Sequence, residues 1–200
     1  ALSTLLKPGY EIRLVESDEI GIIGVGEATI PHIRLFNAAL GIDEDEFIRA
    51  TQGSFKLGIE FVNWGALGDR YIHGFGKIGQ DLDGVPFHHW WLRRRQQGRP
   101  GELGAASINT AAPAQYKFLR PRADMAGSPL ADIAYAFHFD ASLYARYLRG
   151  FSEQRGVRRI EGRITQVHQR GGDGFITAVE LASGERVEGD CTSSNASAKA

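Results

Sequence analysis

Apolar and polar residues are arranged along the chain in short stretches that predict both strands and helices. They alternate over residues 11–16 and 55–64, as expected of strands, and residues 31–40 can form a helix. After Asp140 an apolar stripe at helical spacing comprises Leu143, Tyr144, Tyr147, Leu148 and Phe151. Further strands are predicted over residues 135–139, 157–170, 175–181 and 185–188.

Local signals mark the ends of several of these elements. Asp43 opens an acidic run typical of a helix N-cap and first turn, and Asp140 stands at the N-cap of the striped helix. Pro86 and Gly98 bracket another predicted helix. Residues 1–6 have the pattern of the last turns of a helix. The mixture predicts an α/β protein with a helical insertion at about residues 86–132.

Composition narrows the class of function. The 200 residues are 42% hydrophobic and have a formal net charge of −1, so a substantial core is expected, without a basic field for nucleic acid or anionic membrane. A single cysteine, Cys191, excludes an internal disulfide framework and a cysteine-rich zinc site. With no apolar run long enough to cross a bilayer, the sequence predicts a soluble, cytoplasmic protein with a small-molecule partner.

The beginning of the chain resembles the second half of a dinucleotide-binding βαβ unit. A helix end is followed by a strand over residues 11–16 that finishes on an acid, Glu16. In such units the acid accepts hydrogen bonds from the adenosine ribose. The alternative is a solvated acid at a strand end, and the pattern does not choose between them.

A glycine-rich turn over residues 24–31 and a lysine, Lys56, in an apolar strand point most directly to chemistry. Glycines let backbone N–H groups approach a bulky cofactor, and an ammonium among apolar neighbours is costly to desolvate. Lys56 is expected to point away from the most apolar face, and the alternative role is an exposed edge charge. Glu60 would be roughly 13 Å away at about 3.3 Å per residue, so Lys56 needs another partner or a task. Glu27 is either a cofactor contact or a turn acid satisfied by local amides.

Aromatic and imidazole side chains cluster in the predicted helix after Pro86. His88 and His89 precede Trp90 and Trp91, but adjacent helical positions point about 100° apart, and no second ligand follows at helical spacing. A metal site is therefore not expected. The cluster could stack on a flat substrate or simply pack in the core. No motif of a hydrolase or a kinase is present.

Five segments in order carry a family resemblance. They are residues 14–17 (LVES), 24–31 (GVGEATIP), 55–64 (FKLGIEFVNW), 87–93 (FHHWWLR) and 135–141 (YAFHFDA). Together they resemble the flavin-dependent tryptophan halogenase family over residues 1 to about 190. The resemblance implies an FAD/NAD(P)-binding, flavin monooxygenase-like three-layer fold with additional strands, of which this chain would hold an incomplete part.

The resemblance also implies a reaction and a lysine that performs it. Reduced FAD, oxygen and chloride or bromide yield hypohalous acid, which travels to a lysine beside an electron-rich aromatic substrate such as tryptophan or indole. The matching lysine is Lys56. It would hold the oxidant by a hydrogen bond or as a haloamine.

Further site residues follow from the same resemblance. The cofactor contacts it implies are Glu16 and Ser17 at the adenosine end, Gly24, Gly26, Glu27 and Ala28 on a strap between the flavin and substrate sites, and Ile164 at the adenine. The implied substrate contacts are Phe87, His88 and His89. A separate flavin reductase would supply reduced FAD, and a homodimer is compatible with the family.

The chain also departs from the family pattern. The glycine turn of the first βαβ strand and the Trp-x-Trp-x-Ile-Pro motif are not found, and the sequence diverges after Asp190. We therefore expect residues 1–190 to form part of an FAD-binding module, residues 191–200 to form a disordered or divergent tail, and this chain alone to have little activity. The alternatives are a related flavin monooxygenase and a non-catalytic fragment or binding module.

Overall fold

The structure is a computed structural model that describes residues 1–6, 9–21, 27–99 and 101–190. Its α-helices in this part of the chain are α1 (Leu2–Leu5), α2 (His32–Leu40), α3 (Glu44–Thr51), α4 (Phe87–Gln96), α5 (Ile108–Ala111) and α6 (Ala141–Glu153). Its strands are β1 (Arg13–Glu16), β2 (Glu27–Ala28), β3 (Ser54–Lys56), β4 (Gly58–Val62), β5 (Arg70–Gly74), β6 (Ala136–Phe139), β7 (Arg158–Glu161), β8 (Ile164–Gln169), β9 (Ile176–Leu181) and β10 (Arg186–Glu188).

The chain divides into two compact units. One comprises Ala1–Ile23 with Arg146–Ala200, and the other comprises Gly24–Ala145. In the first unit β1 and β7 pair in parallel, with Glu16 opposite Glu161, while β8, β9 and β10 form an antiparallel sheet. The parallel pair fits the half of a βαβ unit that the sequence predicts.

The second unit is built around β6. This strand lies between β2 and β3 in an antiparallel sheet, and β4 and β5 form a separate hairpin. On one face of β6, Phe137 and Phe139 pack edge-on against the fully buried ring of Phe47 in α3. Such edge-to-face aromatic pairs stabilise a core beyond the area that they bury.

The predicted helix caps at Asp43 and Asp140 are confirmed. The Asp43 side chain accepts a hydrogen bond from the Glu46 N–H at 2.8 Å, and the Asp140 side chain accepts one from the Leu143 N–H at 2.9 Å. Each satisfies a backbone donor that the first helical turn leaves without a partner. Helix α3 precedes β3 and α6 follows β6. The Asp140 N–H donates to the Thr51 carbonyl at 3.1 Å, so the end of α3 and the start of α6 meet at the Ser54–His138 end of the β3–β6 pairing.

The single strand predicted over residues 55–64 is wrong. The chain forms β3 and β4 in different sheets, separated at Leu57. The Leu57 carbonyl accepts a hydrogen bond from the Phe75 N–H at 2.9 Å, which starts the pairing of this segment with the β5 side of the hairpin. Alternation continues across this junction, so the sequence pattern does not reveal the change of partner.

One other segment also differs from the predictions. The stretch over residues 157–170 is two strands, β7 and β8, that separate at Gly162, where a Cβ would lie 2.9 Å from the Leu181 side chain. In the described residues 101–132 the only α-helix is the four-residue α5. The rest of its helical structure is short 3-10 turns at Leu103–Ala106, Pro113–Gln115, Ala123–Met125 and Pro129–Ala131. None of the helices in the described part of the chain has the length and hydropathy needed to cross a bilayer.

Candidate active site

Lys56 ends strand β3 and is buried, with 7% of its surface exposed. Its Nζ donates a hydrogen bond to the Thr29 carbonyl oxygen at 2.9 Å. The same nitrogen lies 5.3 Å from the centroid of the Phe75 ring. A backbone dipole and an aromatic face therefore surround an ammonium that has left water, and both interact favourably with its charge.

Thr29 is held in place by β6. Its N–H and its hydroxyl both donate to the Phe137 carbonyl, at 3.1 and 2.9 Å, and the hydroxyl oxygen accepts from the Phe137 N–H at 3.1 Å. The threonine side chain thus extends the β2–β6 pairing by one residue. Because its N–H and hydroxyl are bound to β6, the position of its carbonyl relative to Lys56 is fixed.

The alternative role of Lys56 as an exposed edge charge is wrong. β3 is an edge strand, yet Lys56 is more buried than the neighbouring Phe55, so it is not an exposed edge charge. Glu60 pairs with Arg70 at 2.5 Å, and the partner that the sequence left open is the Thr29 carbonyl. At Leu57, the junction between β3 and β4, the chain changes its pairing partner from β6 to β5.

Burial lowers the pKa of the Lys56 ammonium. Desolvation, and secondly the positive charge of Lys56, lower the pKa of His138, which pairs with Ser54 two positions along β3. Both groups therefore favour their neutral forms more than they would in water. A neutral amine is nucleophilic, whereas an ammonium is not.

The residues expected at an adenosine lie in the first unit. Glu16 ends β1, and its Oε1 is 2.6 Å from the Arg159 Nε and 2.7 Å from an Arg149 guanidinium nitrogen. The Ser17 hydroxyl accepts from the Glu19 N–H at 3.3 Å. Ile164 begins β8 and is partly exposed. Glu16 is thus a fixed carboxylate at the carboxyl end of a parallel strand, and not merely a solvated acid.

The structure describes the expected strap from Glu27 onward. Gly24 and Gly26 lie outside the described residues. In β2, Glu27 pairs with Phe139 and Ala28 with His138. An open groove of about 380 Å³ follows β2, and it is lined by Ala28, Thr29, Ile30, His32, Ile33 and Phe36.

The residues expected to contact a substrate lie on α4. The Phe87 ring packs against Gly79, and its N–H donates to the Asp81 side chain at 3.0 Å. His88 and His89 are exposed, with ring centroids 4.0 Å apart. Among the described residues, no hydrogen bond, ion pair or ring contact joins Phe87, His88 or His89 to Lys56. No group of three or more His, Cys, Asp or Glu side chains suited to a metal occurs in the part of the chain described here.

Sequence reasoning missed Thr29 and Phe75 as neighbours of Lys56. Phe75 directly follows β5, and the alternation of Tyr71, His73 and Phe75 is a signal that could have predicted this strand. Thr29 gave no such signal, because its contact with Lys56 joins residues 27 positions apart.

Comparisons with known proteins show which family the chain resembles. Residues 1–193 match the sequence model of a family described as tryptophan halogenase. Tryptophan 7-halogenase RebH from Lentzea aerocolonigenes is 33% identical over 94% of this chain and 38% of its own length. Tryptophan 6-halogenase ThaL from Streptomyces albogriseolus is 31% identical over the same shares of the two chains, 94% and 38%. The chain thus spans 38% of the length of these relatives.

Solved structures give the same result for the fold. BrvH, a flavin-dependent halogenase from Brevundimonas sp. BAL3, superposes with a TM-score of 0.83 and 42% identity, over 94% of this chain and 37% of that one. A flavin-dependent halogenase from Xanthomonas campestris gives a TM-score of 0.83 and 44% identity over the same shares, 94% and 37%.

The burial of Lys56 predicts a pH dependence of stability. Because its pKa in the folded chain lies below the ordinary 10.5, the unfolded chain binds more protons between these two values, and the free energy of unfolding rises with pH through that window. Lys56→Met should lose part of this rise. Lys77→Met, which removes a lysine with a largely exposed side chain, should keep it.

Urea unfolding of the three proteins between neutral pH and pH 10.5 measures the difference. Identical slopes for the wild type and Lys56→Met would mean that the Lys56 ammonium is not desolvated.

Proposed function

Because this chain belongs to the flavin-dependent tryptophan halogenase family and has the α/β fold of those enzymes, we propose that the protein containing it halogenates an electron-rich aromatic substrate. We assign delivery of the halogen to Lys56. The chain covers 38% of its curated relatives, so this activity is proposed for the protein with the remainder of its polypeptide. Tryptophan or another indole is the substrate class that we propose.

The environment of Lys56 is the observation that supports this role. Its Nζ lies in an apolar setting between the Thr29 carbonyl and the Phe75 ring. Excluding water from such a site protects a reactive oxidant from side reactions. The Thr29 carbonyl also fixes the direction of the Nζ lone pair or N–H bonds, which favours attack at one carbon of a bound ring.

The lowered pKa of Lys56 fits a direct part in halogen transfer. The neutral amine attacks the halogen of hypohalous acid, an N–halogen bond forms as the O–halogen bond breaks, and the departing hydroxide takes a proton from Nζ to leave as water. The aromatic ring then attacks the halogen, the N–halogen electron pair returns to Nζ, and Nζ regains a proton as the ring loses one. In the alternative without a covalent step, the ammonium donates a hydrogen bond to the hypohalous oxygen and polarises the O–halogen bond.

The described residues fit FAD as the cofactor. When bound in its reduced form, FAD supplies with oxygen and halide the hypohalous acid that the reaction consumes. Glu16, held by Arg149 and Arg159, is a carboxylate that can accept hydrogen bonds from ribose hydroxyls. We propose that Ser17 and Ile164 line the adenosine end.

The open groove beside Ala28 is lined mainly by apolar side chains and suits a flat ring. Ala28 and its strap neighbours Gly24, Gly26 and Glu27 would then lie beside the flavin. Phe87, His88 and His89 remain the proposed substrate contacts. A separate reductase would supply reduced FAD, and chloride or bromide would be the halide, in a cytoplasmic reaction.

Lys56→Ala in the protein expressed with its complete reading frame should lose halogenation. Removal of the group that carries or polarises the oxidant should lower the yield of halogenated indole by at least about 100-fold. Oxygen consumption with reduced FAD should continue, since Lys56 acts after the oxidant forms. Lys77→Ala is the matched control and should halogenate normally.

Product analysis by mass spectrometry with chloride or bromide tests this assignment. Normal halogenation by Lys56→Ala would remove the lysine from the mechanism. A hydroxylated product from the wild type would identify a monooxygenase instead.

Glu16→Gln should weaken FAD binding. Loss of the charged acceptor should reduce affinity by about tenfold, the equivalent of one hydrogen bond to a charged group. Glu188→Gln, at an exposed strand end, is the control and should bind FAD as the wild type does. Fluorescence titration with FAD makes the comparison, and equal affinities for Glu16→Gln and wild type would place the adenosine elsewhere.

A further inference from the structure

Asn109 is a fully buried amide in a part of the chain that consists mostly of short turns. It lies in α5 with 0% of its surface exposed. A buried amide reduces stability unless its donors and acceptor are satisfied. Its contacts therefore indicate what the residue does.

The Asn109 side chain joins the two strand ends next to Lys56. Its Nδ2 donates to the Leu57 carbonyl at 3.1 Å and also to the Ala134 carbonyl. Leu57 follows Lys56 in the chain, and Ala134 lies two residues before Ala136, the cross-strand partner of Lys56. β3 and β6 stop pairing at this point, so the amide bridges two carbonyls just beyond the end of their ladder.

The same side chain packs against the segment that carries Phe75. A Cβ on Gly76 would lie 2.2 Å from the Asn109 Oδ1, and a Cβ on Gly74 would lie 3.0 Å from the Asn109 Cβ. The Phe75 N–H between these glycines donates to the Leu57 carbonyl, which also accepts from Asn109. Asn109 therefore contacts the backbone of Leu57, which follows Lys56, and the backbone of the Gly74–Gly76 segment, which carries the Phe75 ring.

Two buried oxygens of this arrangement have no hydrogen-bond partner among the described residues. The Asn109 Oδ1 is buried and receives no hydrogen bond from the described residues, and the same holds for the nearby Ser107 hydroxyl. An unsatisfied buried oxygen costs stability. Packing alone therefore does not explain a buried amide at this position. Its two N–H donors, in contrast, match the Leu57 and Ala134 carbonyls at the end of the β3–β6 pairing next to Lys56.

We propose that Asn109 is a positioning residue for Lys56, which it acts on by holding the Leu57 and Ala134 carbonyls and the Phe75 segment in one geometry. Its value for catalysis rests on the proposed function of Lys56. Without the amide, the backbone at Leu57, the junction between β3 and β4, changes its geometry. The Lys56 ammonium then loses its contacts with Thr29 and Phe75 and is hydrated instead.

Competitive acetylation of the purified chain tests this without flavin or halide. The labelling of each lysine against pH, followed by peptide mass spectrometry, gives the midpoint at which its amine becomes neutral. In the wild type the Lys56 midpoint should lie below the ordinary lysine value of 10.5. In Asn109→Ala it should rise toward that value, because the ammonium regains water.

Thr51→Val is the matched control. Thr51 is also fully buried. Its hydroxyl donates to the Phe47 carbonyl at 2.8 Å and not to the junction at Leu57. This variant also loses a buried hydrogen bond but should keep the wild-type Lys56 midpoint. An equal shift in both variants would show a general loss of packing and overturn the proposal.

Gly76→Ala provides a second route if Asn109→Ala does not fold. It keeps the amide but forces the Asn109 Oδ1 to move, so it should also raise the Lys56 midpoint, whereas Gly150→Ala, where a Cβ meets nothing within 4 Å, should not. A folded variant at Asn109 or Gly76 with an unchanged Lys56 midpoint contradicts the proposal. Because no step of this assay is halogenation, its failure is distinct from a failure of the proposed function.

Discussion

A lysine ammonium that leaves water needs a partner for its donors, and the structure around Lys56 is arranged to supply one. The Thr29 carbonyl accepts its hydrogen bond, and the Phe75 ring covers it at 5.3 Å. Neither group is an acid, and desolvation by burial lowers the pKa of the Lys56 ammonium. The Lys56 amine thus keeps N–H bonds that can donate, while its neutral form is favoured. An Asp or Glu partner would instead stabilise the charged ammonium.

β6 connects this site to the core. One face of the strand carries Phe137 and Phe139, which pack on Phe47, while its backbone binds Thr29 on one side and pairs with β3 on the other. The aromatic core therefore fixes both the carbonyl that accepts from Lys56 and the strand that bears Lys56. A site built in this way depends on packing several residues away from any reacting atom.

Local features of the sequence predicted local features of the structure. Asp43 and Asp140 were identified as caps because a cap depends on residues within one turn. The family and its α/β fold were also predicted, from five ordered segments. The break at Leu57, by contrast, arises from hydrogen bonds from Phe75 and Asn109, which are 18 and 52 positions away. Alternation cannot report such partners, so the sequence left open whether Lys56 is buried or an exposed edge charge, although it singled out the residue.

The central claim, that the buried Lys56 amine carries the halogen, is tested most directly by locating the halogen on the protein. The complete enzyme would be supplied with reduced FAD, oxygen and chloride in the absence of an aromatic substrate, and its lysines examined by peptide mass spectrometry. We expect chlorine on Lys56, removed when an indole is added, and none on exposed Lys77. An unchlorinated Lys56 in enzyme that still chlorinates indole would contradict transfer through its amine.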